Sequence, residues 1–284
     1  MYLIKQKKRQ NIIVFFFKHI PSKRIRSLRK QTDDYLSVND QMLLTNIVSA
    51  YERACAKKNV QNLCFPSREH DRPHTFFNEY QDREITLIEY FKFIPEFNRL
   101  SIQDKIRLIR NHFGTMYYIN EPILSAQKSN NLVTSIQKSF HGNLATKMIH
   151  SIDLMFNYIN DPLLLKLILI VRSLSSSINR YRNDTDMDRI YDDTKLIFAG
   201  QSVYVELLWR YILYRSPSER DAVKFFNKLV MDILAIQHTY LMSDYYLYCL
   251  QDEIDKLEPL MKSMWPIPDE HEYPHEEHTT LLMW

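Results

Sequence analysis

Residues 90–109 read YFKFIPEFNRLSIQDKIRLI, and the organisation of the chain follows from how this stretch must fold. Pro95 keeps its predecessor Ile94 out of the helical region, so a helix running through Tyr90 has to stop near Phe93. Ser101 is a helix N-cap residue, and Ile106, Leu108 and Ile109 behind it continue an apolar face towards Tyr118. Between the two helices, Phe97 and Leu100 staple the turn to the core. This predicts Lys92 and Arg110 at the ends of two adjacent helices, a few residues from the same turn. Two cations flanking an apolar channel can cap an incoming helix, whose C-terminus carries partial negative charge. On composition alone they are ordinary surface cations.

Working outward, the pattern stays helical. A helix over about 76–93 precedes the quoted stretch, and a connection over 58–75 holds Pro66 and Pro73. Before it, Ser37 to Lys57 repeats Leu43, Leu44, Ile47, Val48 and Tyr51 at helical spacing. On the other side, Glu121-Pro122 predicts an end or a kink, and weaker amphipathic segments cover 131–140 and 143–159. Asp161-Pro162 is a strong helix start, and Leu163 to Val171 is apolar except for Lys166, which predicts a helix buried on most sides. A polar surface excursion over 176–195 leads to helices over 200–214 and 219–250, separated by the Arg215-Ser216-Pro217-Ser218 joint. In the second of these, Val223, Phe226, Val230, Ile233 and Ile236 share one face. A short helix over 254–265 ends at Pro266, and 266–278 reads as an extended, acidic, proline-containing tail. The expectation is an all-α domain of about ten helices over 37–265, after a basic leader at 1–36.

Composition narrows the function classes. The three glycines, Gly114, Gly142 and Gly200, stand too far apart to build a dinucleotide or phosphate cradle. Net charge is +3 on 37 basic and 34 acidic residues, which is not the balance of a polyanion binder. The asymmetry is local: residues 1–32 carry ten Lys or Arg and no acid, and 266–284 carry five acids and no Lys or Arg. The basic runs Lys5 to Arg9 and Lys23 to Arg26 read equally as a nuclear address or nucleic-acid patch and as a solvated flexible arm. Cys55, Cys64 and Cys249 are too scattered for a disulfide framework or a CxxC zinc module. No apolar run is long enough to span a membrane. His271, His275 and His278 have the spacing of helical metal ligands, but Pro274 within the run argues for a solvated tail, so no metal or cofactor is expected. No GxSxG, HExxH or comparable catalytic arrangement occurs, and an enzyme is not expected.

The quoted stretch closely resembles the signature of nuclear receptor ligand-binding domains. Tyr90, Lys92, Phe97, Leu100, Asp104, Lys105, Leu108 and Ile109 fall in its register; Phe91, where a small residue is usual, and Glu96, where glycine is common, depart from it. Residues 203–232 are similar to the family's ninth and tenth helices with their joint. Leu36 to Tyr51 is similar to the first helix of thyroid-hormone- and vitamin-D-type receptors. Leu257 to Trp265 resembles the final, activating helix.

The resemblance implies a three-layer helical sandwich of about ten to twelve helices. It implies a coregulator groove formed by Lys92 and Arg110 with Leu260, Met261, Met264 and Trp265, which takes LxxLL-like coactivator or corepressor helices. It implies a pocket for a small lipophilic ligand among Ile85, Ile88, Phe113, Met116, Tyr117, Ile236 and Tyr240. A homo- or heterodimer through 219–240 and a place in the nucleus, or the cytoplasm, also follow. Ser263 stands where the family's activating helix carries the Glu that caps a coactivator, which puts ligand-driven activation in doubt and makes repression or constitutive behaviour credible. The terminal stretch Glu276 to Trp284 is a rival for the switch. The family's DNA-binding domain needs eight cysteine ligands, so DNA contact through this chain alone is not expected. The competing reading is a helical adaptor whose interior is plugged by its own Phe and Tyr side chains.

Overall fold

The computed structural model describes residues 35–58, 66–125, 128–175 and 191–264, and every regular element among them is a helix. In chain order these are α1 (Val38–Lys58), α2 (Pro73–Glu79), α3 (Gln81–Lys92), α4 (Pro95–Asn98), α5 (Ile102–Leu124) and α6 (Asn130–Ser139). They continue with α7 (Gly142–Phe156), α8 (Pro162–Ser173), α9 (Thr194–Arg215), α10 (Glu219–Tyr248), α11 (Gln251–Ile254) and α12 (Pro259–Met264). The all-α class is as expected.

Local chemistry sets the helix starts. Ser37 and Asp40 cap α1 reciprocally: the Ser37 amide donates to Asp40 at 3.1 Å and the Asp40 amide to Ser37 Oγ at 3.1 Å. Ser101 opens α5 by accepting the Asp104 amide at 3.0 Å. Asp161 opens α8 and Asp193 opens α9 by accepting the amides of Leu164 and Leu196. Asp161 also accepts from Tyr211 Oη at 2.8 Å and pairs with Arg215, so the start of α8 is tied to the end of α9.

The packing order is simple. α5 and α8 lie against each other at the centre; α8 also packs on α1 and α9, and α5 on α7 and α10. α3 packs on α1, and α7 on α10. All of α8 from Leu164 to Ser173 is buried, Lys166 and Arg172 included, which matches the expectation for that segment. Arg210 of α9 grips Asp40 of α1 with Nε and Nη2 at 3.1 and 2.8 Å. Burial alone would raise the Asp40 carboxyl, but this fork and the Ser37 contacts pull it below its ordinary value.

Four expectations need correction. The helix expected over 76–93 breaks at Tyr80, whose amide bonds to Phe77 O at 3.0 Å in a tight turn while its side chain packs on α5. α5 continues through Pro122 and ends two residues later, at Leu124, close to the end or kink expected there. α9 begins at Thr194, six residues early, because Asp104 of α5 accepts the amides of Asp192 and Asp193 at 2.9 and 3.2 Å and fixes the cap in place. The helix expected over 254–265 is confined to α12 from Pro259, because Ile254 closes α11 and buried Leu257 lies in the crossing between the two. On α10, Phe226, Val230 and Ile236 face inward as expected, whereas Val223 is 43% exposed.

Candidate functional site

Of the two predicted cations, Lys92 is the last residue of α3, with a side chain 57% exposed. Arg110 is not at a helix end. It lies two turns inside α5, because the Ser101 cap starts that helix and nothing stops it before Leu124. Arg110 is half-buried and already engaged with its surroundings. One turn before each cation stands an isoleucine on the same helix face: Ile88 before Lys92, half-buried, and Ile106 before Arg110, 37% exposed. Ile109 is half-buried against the core, and Ile102 at the start of α5 is 65% exposed.

Charge on the Lys92 side is organised around Glu89. Its two carboxylate oxygens take Lys57 Nζ at 2.7 Å and Lys92 Nζ at 2.6 Å. The Lys57 bond, then the Lys92 bond, holds the Glu89 carboxyl below its usual range. The neighbouring Phe93 ring is covered by the Arg53 guanidinium at 4.5 Å.

The final helix, α12, packs on α5 with Met261 and Met264 buried and Leu260 half-buried. Ser263 Oγ donates to Leu260 O at 2.7 Å and so bonds within its own helix. Trp265, the leader, the rival terminal segment and the three tail histidines lie outside the described residues.

The expected pocket residues divide into two groups. Ile85 and Ile88 are half-buried. Phe113, Met116, Ile236 and Tyr240 are 2%, 1%, 0% and 3% exposed, and Tyr117 is buried as well. A side chain that lines a void large enough for water retains accessible area, and these four retain almost none. The Tyr240 ring sits directly against Gly114: a Cβ built there would come within 2.0 Å of the ring. Tyr117 stacks edge-on against Tyr80 at 4.2 Å, their hydroxyls hydrogen-bonded, and Tyr118 follows at 4.7 Å. Phe76, Phe77 and Phe140 extend the cluster through centroid distances of 5.4–5.6 Å.

Sequence reasoning missed a buried polar layer beside these rings. Arg83 Nη1 of α3 donates to Glu121 Oε2 of α5 at 2.5 Å, with side chains 5% and 1% exposed. Ser125 Oγ donates to the second Glu121 oxygen at 2.8 Å. Burial raises the Glu121 carboxyl, and the Arg83 charge opposes that. Tyr51 Oη donates to Asn120 Oδ1 at 2.6 Å, joining α1 to the same stretch of α5. Glu84, next to Arg83, is buried too, and desolvation pushes its pKa up to about 8. A signal was available: Arg83 and Glu84 share the helix face of Leu87, Tyr90 and Phe91, which marks them as inward.

Comparison with known proteins finds no matching family model and no matching curated protein. Among the described residues no group of three His, Cys, Asp or Glu is placed to hold a metal ion, and no helix is long and apolar enough to cross a membrane. What the two helices each offer is an isoleucine one turn before a cation, Ile88 before Lys92 on α3 and Ile106 before Arg110 on α5, a combination suited to an amphipathic helix and its C-terminal carbonyls.

Proposed function

We propose that this chain is a receptor-type helical regulator, a nuclear receptor ligand-binding domain in organisation, that docks coregulator helices on the Lys92–Arg110 face. One observation carries the reading: Lys92 closes α3 with an exposed side chain paired to Glu89, one turn beyond half-buried Ile88, and Arg110 sits one turn beyond exposed Ile106 on α5. A partner helix of LxxLL type would lay its leucines on the isoleucines and turn its last carbonyls towards a cation. The packing of α8 on α1 and α5, of α5 on α7 and α10, and of α3 on α1 supports a three-layer sandwich. The exposed Val223 and Met231 of α10 support a homo- or heterodimer through 219–240. The reading carries with it a role in transcription and a place in the nucleus.

The near-complete burial of Phe113, Met116, Ile236 and Tyr240 favours a regulator whose interior is filled by its own side chains over one that holds a small lipophilic ligand. A ligand at that position requires Tyr240 to swing off Gly114. Native mass spectrometry of the purified chain separates the two, since a resident lipid would appear as a bound mass.

The groove is tested by Lys92→Ala with a labelled LxxLL peptide followed by fluorescence anisotropy. Its exposed pairing with Glu89 is worth at most about 1 kcal/mol, so the fold survives the change. Peptide affinity should fall about tenfold or more. Unchanged affinity in a folded variant would remove the groove and the receptor reading with it.

A further inference from the structure

Between α10 and α12 the chain makes the single turn of α11 and then crosses residues 255–258. Its cross-chain hydrogen bonds converge on one face of α2. Asn78 donates from Nδ2 to Lys256 O at 3.1 Å and accepts the Glu258 amide on Oδ1 at 2.8 Å. Its side-chain amide thus grips the backbone on both sides of buried Leu257, as the peptide of a neighbouring strand would. One turn back on the same face, His74 meets Glu253 Oε2 twice, through its amide at 3.3 Å and through Nδ1 at 2.8 Å. Burial alone would raise the Glu253 carboxyl; these His74 contacts hold it below its usual value. On the far side of the crossing, Lys262 of α12 reaches back to Asp255 at 2.7 Å.

The final helix is therefore held at two places. Met261 and Met264 bury themselves at one, where α12 meets α5. At the other, the chain leading into α12 is pinned to α2. A helix of six residues has no stability of its own, so its position is decided by these two attachments. The second attachment is polar and geometrically specific, and α2 is itself a short element that ends at Tyr80, whose hydroxyl bonds Tyr117 on the helix that carries α12.

We propose that Asn78 and His74 form a latch on α2 that determines whether α12 rests on α5. Opening it leaves the two methionines as the remaining attachment and uncovers the part of α5 beneath them. The latch stands whether or not the Lys92 face binds a coregulator helix, and its test uses no peptide.

Hydrogen–deuterium exchange on the full chain reads the latch directly. Asn78→Ala removes two hydrogen bonds, and amides in 259–264 should exchange about thirtyfold faster while those of α7 and α8 keep their rates. Asn78→Asp, which keeps the acceptor for the Glu258 amide and loses the donor to Lys256 O, should give a smaller acceleration of the same segment. Met261→Ala should free 259–264 while 253–258 stays protected. The latch is overturned if Asn78→Ala speeds 253–258 alone and leaves 259–264 at the wild-type rate, or changes neither. If Asn78→Ala speeds α7 as well, the fold has loosened globally and Asn78→Asp decides: acceleration confined to 253–264 supports the latch, and none in 259–264 overturns it.

Discussion

Glu84 provides the sharpest quantitative test of the core. It is 3% exposed on α3, and burial raises its carboxyl from an ordinary value of 4.5 to about 8 despite the adjacent Arg83 charge. Between those two values the folded protein holds a proton that the unfolded chain has released. The native state then binds more protons than the unfolded state, so stability falls as pH rises through this window, by about 1.4 kcal/mol per pH unit. From pH 5 to pH 7.5 the loss attributable to Glu84 is about 3 kcal/mol. Glu84→Gln substitutes a neutral group of the same shape and abolishes that slope. Urea midpoints of both proteins at the two pH values isolate the effect, because contributions from every other titrating group cancel in the difference. The variant should gain little at pH 5 and about 3 kcal/mol more at pH 7.5, with an unchanged m value. A stability difference independent of pH would refute a protonated, buried Glu84.

Arg83→Met should cost about 3–5 kcal/mol in urea unfolding, because it strands Glu121 in the interior; adding Glu121→Gln should recover most of the loss. Gly114→Ala drives a methyl into the Tyr240 ring and should destabilise by about 1–3 kcal/mol, with Tyr240→Leu relieving the clash in a double-mutant cycle. Ser263→Glu should strengthen coactivator-peptide binding in an anisotropy titration if α12 serves as the switch helix, since it supplies an acid for the N-terminal amides of the peptide; no gain would point to a repressor or to the terminal segment.

The Glu84 and Arg83 tests probe residues that a careful reading of periodicity would mark as inward, and the same reading shows where such inference stops. Helical spacing places Arg83 beside Leu87 and Tyr90, but nothing local announces Glu121, 38 positions away, as its partner. The groove divides in the same way. The Pro95 and Ser101 signals set the end of α3 and the start of α5 correctly, and Phe97 and Leu100 anchor the turn as expected, at 2% and 4% exposure. Arg110 was misplaced at a helix end although the Ser101 cap and the apolar face running on to Tyr118 already put it two turns inside α5. Asp104 was legible as a member of the signature and illegible as the anchor of residues 192 and 193, which lie 88 and 89 positions on.

By itself the sequence determined the helices and most of their starts: caps, prolines and the 3.6-residue repeat act within one or two turns, so they are written in neighbouring letters. Burial of α8 was equally plain, since a run without a polar face has nowhere to go but inside. Tertiary structure alone decided which polar groups meet in the core, that Tyr240 fills the space over Gly114, and that Asn78 holds a backbone segment 180 residues later. Those contacts depend on which faces the helices turn to one another, and that choice is made by the packing of the whole chain.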